Sequence, residues 1–589
     1  MISRFLPVAL PLAGVSLLTA FSAPAAEDYL TLVPDSAWGC VVVNQPAEVD
    51  VKLQALGREM QMPVPGVLAL LKMQTGIQEG IDEKGSVVVI MMPPAAEGGK
   101  VVPVVLVPVT DYAKFITPLK PEDAAAPITQ VKLMNKPYCI RHIGGYAAIV
   151  DPQHRDLLEK SLAISKEVPA AMKPWREWLA ARDAAGIILL PGIKKSSAQM
   201  QASLNGMKVA LGQAGGQGKQ AVAAFDMYVK LLQTADKEVS ACGFGLQIDK
   251  QNTLCLTSRT ELIPGGPWAT TLAQLPPAKK NLLAGLPNGT FATAGGGVIS
   301  DALMENMVKL AFDMMKTMPE TYGLNGEQVD KLAKLSIAPF KGIHSVSMTM
   351  GIGPAGTPLY SNTVGIMQVE NAAKFIADYE AYFQEYNPIV KDAKSQMLPP
   401  LEIEKIEENG MPGLKFTMKT PQAPEGGMPA PQFEKMQEAM FGPGGKISFW
   451  LVPADEHTIF IGYVGKEPMQ RALLAAKQGD GGLAAAAGTL QTAARLPADA
   501  QMIGYASPQG WVEFFKRTMA AALPPEMQNQ MIIPEFPPTA PIGFALKTAP
   551  NELQTSMIVP GEVFKAIGDY RKAFQKKKNN AIIAPPIEE

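Results

Sequence analysis

Two stretches of this chain recur in the same order, and that repetition limits the folds open to it more than any single motif does. Val109-Thr110-Asp111-Tyr112-Ala113-Lys114-Phe115-Ile116 returns as Val369-Glu370-Asn371-Ala372-Ala373-Lys374-Phe375-Ile376. Gly243-Phe244-Gly245-Leu246-Gln247 returns as Gly543-Phe544-Ala545-Leu546-Lys547. Shorter matches keep the order: Arg155-Asp156-Leu157-Leu158 with Arg471-Ala472-Leu473-Leu474, and Thr257-Ser258 with Thr555-Ser556. Such repeats imply a duplicated architecture, so a motif found in one copy can be tested against the other. Lys374 lies 260 positions after Lys114, whereas Arg471 lies 316 after Arg155, so the second copy gains 56 residues between those points. The excess is visible as Pro/Gly/Met-rich sequence from Pro421 to Gly445, which reads as an inserted loop.

Residues 1–26 read as a secretory signal. Arg4 supplies a positive start, Leu6 to Phe21 an apolar stretch, and Ser22-Ala23-Pro24-Ala25-Ala26 the small residues for cleavage after Ala25 or Ala26. Pro7 and Pro11 interrupt the apolar stretch, which is short for a membrane span. The first cysteine is Cys40, so none stands at the cleavage point for lipid attachment. No later segment reaches the ~20 apolar residues that cross a bilayer. The expected product is exported, periplasmic or extracellular, with no membrane span after signal cleavage. A formal charge of −2 argues against nucleic acid as a partner.

Four cysteines are too few for a disulfide scaffold in so long a chain. Cys242 and Cys255 flank a turn at Asp249-Lys250-Gln251-Asn252, and the register sets Cys255 opposite Leu246, leaving the two sulfurs apart. Cys40 and Cys139 stay open as a disulfide or as two buried thiols. The second half has no cysteine, so disulfides are not essential to the repeated fold.

About 560 mature residues correspond to roughly four domains of ordinary size. Strand-rich runs punctuated by Gly and Pro, with helices between them, give an α+β class: internally duplicated units of antiparallel sheet with packed helices. The expected divisions are unit A at 27–170, unit B at 171–280, a repeat of A at 281–485, a repeat of B at 486–575 and a flexible tail at 576–589 that holds Lys576-Lys577-Lys578. Within A, strands are expected at Val87–Met91 and Val101–Val109, and Asp111 caps a helix. A hairpin joins Tyr138–Ile143 to Tyr146–Val150 about Gly144-Gly145, and Asp151-Pro152 opens a helix over Gln153–Ser161. Unit B opens with a strand at Ile187–Leu190 and closes with the hairpin Cys242–Leu262. In the second copy Asn371 takes the capping place of Asp111, and Gly479–Gly488 reads as a linker.

Candidate sites are few. Gly295-Gly296-Gly297 follows a strand at Phe291–Ala294 and precedes a helix capped by Ser300 or Asp301, the setting of a phosphate loop. The corresponding segments Asn44-Gln45-Pro46, Pro191-Gly192 and Ser507-Pro508-Gln509-Gly510 are no phosphate cradles, so the triplet reads as a permissive turn. Met304, Met307, Met314, Met315 and Met318 fall near one helical stripe with Leu303, Val308 and Ala311, and read as core rather than as copper-binding thioethers. Met428, Met436, Met440, Met519, Met527 and Met531 form further Met-rich stretches, suited to adaptable apolar contacts if exposed. His142, His154, His344 and His457 lack metal-ligand spacing. Glu402, Glu404, Glu407 and Glu408 lie on an alternating strand ending at the turn signal Asn409-Gly410, a solvated face rather than a glycosidase pair. No nucleophile-elbow or zinc-protease motif occurs. Sequence therefore assigns no catalytic residue, no metal ligand, no cofactor-binding residue and no cofactor.

The Leu-Pro-x-Asp opening at Leu496-Pro497-Ala498-Asp499, the hairpin Gly145-Tyr146-Ala147-Ala148-Ile149-Val150 and the helix that follows it at Arg155-Asp156-Leu157-Leu158 resemble a family of large exported bacterial proteins carrying a domain of unknown function. The resemblance implies a signal peptide and tandem α+β units, and it carries over no reaction or residue role. The expected function is a non-enzymatic, extracytoplasmic binding or structural protein whose partner is another protein or an apolar ligand. The alternatives are a periplasmic carrier of lipid or another apolar molecule, and a cryptic hydrolase whose site is assembled only by folding.

Overall fold

The computed structural model of the protein describes residues 29–94, 99–162, 165, 167–212, 225, 228–230, 232–277, 282–317, 322–393, 398–408, 410–418, 429–463, 465–478, 482–523, 527 and 533–583. The expected signal at 1–26 lies outside them. By contacts the chain forms two compact units, one of Met1–Gln201, Gln233–Pro264 and Glu552–Lys565, the other of Ala202–Leu232, Gly265–Asn551 and Ala566–Glu589. The class is α+β with extensive antiparallel sheet.

In chain order the first stretch carries β1 (Gly39–Asn44), α1 (Pro46–Met60), α2 (Val67–Thr75), β2 (Ser86–Met92), β3 (Val102–Pro108), α3 (Tyr112–Ile116), β4 (Ile128–Leu133), β5 (Lys136–Ile143) and β6 (Tyr146–Val150). It continues with α4 (Arg176–Ala180), β7 (Ala184–Leu189), α5 (Leu190–Gly212), β8 (Val239–Ile248) and β9 (Leu254–Leu262). The strands pair antiparallel in the order β4-β5-β6-β3-β2-β1-β7-β8-β9. Strand β1 is hydrogen-bonded on both edges, to β2 and to β7. The stretches read from sequence as units A and B therefore share one sheet. Alternation fixes the faces: Cys40, Val42, Val88, Ile90, Val104 and Leu106 are fully buried against Trp175, Leu158 and Leu179. On the other face Phe115, Ile140 and Ala147 build a second cluster. Asp111 caps α3 by accepting from Lys114 N at 3.1 Å.

The second stretch carries α6 (Pro267–Ala273), β10 (Phe291–Val298), α7 (Asp301–Thr317), α8 (Gly326–Ile337), β11 (Ile343–Gly351), β12 (Val364–Val369), α9 (Ala372–Ala393), β13 (Glu402–Glu408) and β14 (Met411–Met418). Then come α10 (Ala430–Phe441), β15 (Ile447–Pro453), β16 (Thr458–Gly462), α11 (Lys466–Gln478), α12 (Ala487–Ala493), β17 (Met502–Ala506), α13 (Pro508–Ala522) and β18 (Ile542–Ala549). Here the antiparallel order is β13-β14-β15-β16-β12-β11-β10-β17-β18. Asn371 caps α9 through Lys374 N at 2.8 Å. Tyr379, Tyr382, Phe383 and Tyr386 of α9 pack with Phe416 and Phe449 into an aromatic cluster over β14 and β15. The chain ends with β19 (Glu552–Val559) and α14 (Gly561–Ile583). Strand β19 belongs to the first unit, where Thr555 Oγ1 meets Ser258 Oγ of β9 at 2.7 Å and Glu552 accepts from Arg259 Nε at 3.0 Å.

Several local expectations are corrected. Gly295, Gly296 and Gly297 are strand residues inside β10, not a loop. The reason is close approach, since a Cβ on Gly296 would stand 2.3 Å from Leu282 O. Pro191 and Gly192 lie in the first turn of α5. The segment Gln153–Ser161 is a 3₁₀ turn at Pro152–His154 followed by a wide π turn at Leu157–Ser161, whose neighbouring carbonyls, Leu158 O and Leu162 O, accept from the Arg141 guanidinium. The β8–β9 loop spans Asp249–Thr253, one residue longer than expected, so Cys255 faces Gln247 and not Leu246. The span read as an inserted loop contains α10 and a 3₁₀ turn at Pro443–Gly445; residues 421–428 lie outside the described residues. Within Gly479–Gly488, Leu483 is buried and its N–H donates to Leu286 O at 2.8 Å, so this is no free linker. Helix α14 runs on through Lys576-Lys577-Lys578, where a tail was expected. On α7 only Leu303 and Val308 of the stripe are buried; Met307 is exposed, and Met304, Met314 and Met315 are half-buried. Met318 lies outside the described residues. Among the described residues no helix is long and apolar enough to cross a membrane.

All four cysteines are free thiols. Cys40 on β1 and Cys139 on β5 are separated by β2, β3 and β6, about 19 Å at the usual strand spacing, far beyond disulfide reach. Burial pushes the Cys40 thiol up to about 12. The protonated thiol is the form the fold favours, so its contribution to stability is full below the unfolded value of 9.0 and is lost as pH rises toward about 12. Urea unfolding across that window should show stability falling with pH, and the fall should be shallower in Cys40→Ala.

Strand β8 carries glycine where Trp175 lies over it. A Cβ on Gly243 would stand 2.3 Å from Trp175 Cζ3. Gly243→Ala should therefore cost about 1–3 kcal/mol through overpacking. Gly206→Ala on α5, where a Cβ meets nothing within 4 Å, should be neutral or stabilise by up to about 1 kcal/mol, as read from urea midpoints.

Candidate functional site

The second unit brings two chain connections to one place. Gly351 of β11 pairs with Phe291, and Ala506 of β17 pairs with Thr293. Both strands run antiparallel to β10, so their exits emerge side by side at its N-terminal end. From β11 comes the segment Ile352–Pro358 and a 3₁₀ turn, Leu359–Asn362. From β17 comes α13, whose N-cap Ser507 accepts from Gly510 N at 3.0 Å and whose first residue is Pro508.

The 352–358 segment is folded on itself. Gly353 N donates to Leu359 O at 2.9 Å, Thr357 N to Pro354 O at 3.1 Å, and Asn362 Nδ2 to Ile352 O at 3.0 Å. Gly356 takes the left-handed φ of 81° that the turn needs. Arg517 of α13 then clamps it: Nη1 donates to Gly353 O and Nη2 to Thr357 O, the latter at 2.5 Å. A planar guanidinium suits two carbonyls held apart by a turn. Tyr360 stacks on Phe441 of α10 with centroids 5.2 Å apart and meets Phe514 of α13 edge-on at 5.8 Å. Burial pushes the Tyr360 hydroxyl up.

Two clefts are lined by successive parts of the clamped segment. The first, about 470 Å³, is bounded by Gly356–Leu359, by Glu438, Met440 and Pro443 at the end of α10, and by Arg517 and Thr518. The second, about 490 Å³, is bounded by Ile352–Ala355, Gln509, Val512, Glu513 and Lys516 of α13, and Glu535 and Phe536. Both volumes suit small-molecule ligands. The hydroxyls of Thr357 and Thr518 donate to Pro354 O and Phe514 O at 2.8 and 2.9 Å, so neither is held by a general base as an activated nucleophile would be.

The residues singled out from sequence are scattered. His142 is exposed and stacks on Tyr112 at 4.6 Å. His457 Nδ1 lies 2.8 Å from Glu370 O, and His154 and His344 sit on other elements. Among the described residues no group of three or more His, Cys, Asp or Glu is placed to hold a metal ion. Glu402, Glu404 and Glu407 are exposed on β13, Glu404 pairs with Lys415 at 2.7 Å, and Glu408 pairs with Lys466 at 2.5 Å. Gly410 has the expected positive φ, and Asn409 lies outside the described residues. Burial raises the thiols of Cys139 and Cys242, and that of Cys255 to about 11, so none is an activated thiolate. Of the Met-rich stretches, Met440 reaches a cleft, Met436 and Met519 are half-buried, Met527 is exposed, and Met428 and Met531 lie outside the described residues. Sequence reasoning missed Arg517 and the 352–358 segment, although Gly351-Ile352-Gly353-Pro354-Ala355-Gly356-Thr357-Pro358 is the kind of Gly/Pro-dense connection that marks a shaped loop.

No protein-family model, no curated protein and no solved structure matches the chain.

Arg517→Ala should cost about 1–3 kcal/mol, the worth of charge-assisted hydrogen bonds lost. Hydrogen exchange should quicken at the amides of Gly353 and Thr357 and stay unchanged in the β8–β9 hairpin. Arg517→Lys, a point charge that cannot fork to both carbonyls, should restore only part of the protection.

Proposed function

We propose that this chain is an exported, non-enzymatic binding protein with an internally duplicated α+β architecture, and that its ligand sits in the paired clefts of the second copy. The single observation that carries the reading is the clamped 352–358 segment, whose successive parts line two small-molecule-sized clefts. Duplication is supported by pairing order. Substituting β10, β11 and β12 for β1, β2 and β3, then β14, β15 and β16 for β4, β5 and β6, and β17 and β18 for β7 and β8 turns the first eight strands of one order into the last eight of the other, with β9 left over in the first. The matched caps at Asp111 and Asn371 agree with it. What remains over in the second copy is β13 and α10, both from the longer spacing, and the end of α10 walls the first cleft. Export rests on the sequence of residues 1–26.

The wall of the first cleft favours an apolar carrier as the second reading, because Pro358, Leu359, Met440 and Pro443 offer it a mainly apolar surface. The neutral fluorescent probe N-phenyl-1-naphthylamine should bind saturably to the wild type. Ala439→Trp, which fills the cleft from α10, should abolish that binding while leaving the unfolding free energy within about 1 kcal/mol of wild type. Probe binding unaffected by Ala439→Trp would remove the cleft from the account. Turnover of hydrolase substrates that is lost on Glu513→Gln would overturn the non-enzymatic reading.

A further inference from the structure

Resting on that reading of the clefts, we infer that the ligand is a cationic amphiphile: an apolar body seated in the first cleft and an ammonium group in the second. The polar side chains that line the first cleft are largely committed to the protein itself, and Glu438 is exposed. Arg517 is committed to Gly353 O and Thr357 O, Thr518 Oγ1 to Phe514 O, and Glu438 Oε1 accepts from Gly444 N at 3.2 Å. An apolar group entering there leaves none of these bonds broken, and Met440 adapts to its shape.

The second cleft has the opposite character. Among the described residues that line it, Glu513 and Glu535 are carboxylates and Lys516 is the cation, and Lys516 Nζ stands 3.9 Å from Glu513, an ion contact too long for a hydrogen bond. Glu535 has no ion-pair partner among the described residues. Asn362 offers nothing further, since its amide donates to Ile352 O and its carbonyl oxygen accepts from Arg471. An anion would meet two carboxylates, whereas an ammonium finds an unpaired one. The clefts adjoin. Ala355 lines one and Gly356 the other, and the same holds for Lys516 and Arg517. Sequence neighbours are only about 3.8 Å apart, so the two linings meet along the clamped segment and a molecule with a long tail can span them.

The test uses the full chain and three probes of equal tail length: dodecylammonium, dodecanol and dodecanoate, titrated calorimetrically below their aggregation limits at neutral pH. Dodecylammonium is expected to bind about fivefold tighter than dodecanol, the weight of one partly exposed ion pair, with dodecanoate weakest. Glu535→Gln, at an exposed position, should bring dodecylammonium down to the level of dodecanol and leave dodecanol unchanged. Equal binding of dodecylammonium and dodecanol to the wild type would overturn the ammonium assignment and leave the binding reading standing. Tightest binding by dodecanoate would reverse the assignment. Failure of all three to bind would overturn the inference and the cleft reading together.

Discussion

Strand β10 is hydrogen-bonded along both edges, and the rest of the second unit's architecture depends on it. Because β11 and β17 both run against it, their exits converge at one end, and the 352–358 segment and α13 leave together. Had either strand run parallel to β10, its exit would lie at the opposite end of the sheet and Arg517 could not reach Gly353. The glycine triplet serves this arrangement. With no side chains on three successive residues, Leu282 and the flanking strand can come close to a central strand. The first unit shows the same economy in β8, where glycine admits Trp175. Strand β1 there plays the double-edged part of β10.

Much of the fold was legible because it is locally encoded. Asp111 and Asn371 cap helices through bonds three residues long, the Gly144-Gly145 turn joins β5 and β6, and the alternating valines of β2 and β3 turn one face to the core. The misread segments are those whose conformation is set by distant partners. Gly295–Gly297 has the composition of a turn, but two neighbouring strands impose extension on it. The span Pro421–Gly445 reads as loop from its Pro and Gly content, yet Ala430–Phe441 forms a helix, with Phe441 stacked on Tyr360. The division at residue 170 was drawn from local pattern, whereas β1 pairs with β2 and β7, which lie on either side of it.

The candidate site was illegible for the same reason in stronger form. Its defining contacts, from Arg517 to Gly353 and Thr357, cross 164 and 160 positions of sequence. An arginine in a helix, read alone, is an ordinary solvated residue. What sequence did mark was the Pro/Gly/Met-rich span Pro421–Gly445, and the end of that span does reach a cleft wall. The methionines were noticed as a pattern, but only position decides their use. Met307 faces solvent on α7, whereas Met440 lines the cleft.

The clamp on the 352–358 segment has a consequence for the thermodynamics of occupancy. Fixing the backbone of a residue costs about 1–2 kcal/mol, and here that cost falls within folding because Arg517, Asn362 and the segment's own turns already hold it. A guest arriving at such a surface orders little beyond itself, so even a small molecule with few contacts keeps most of the free energy those contacts provide. Under the proposed binding role, residence time would reflect the guest's own chemistry rather than the closing and reopening of a flap.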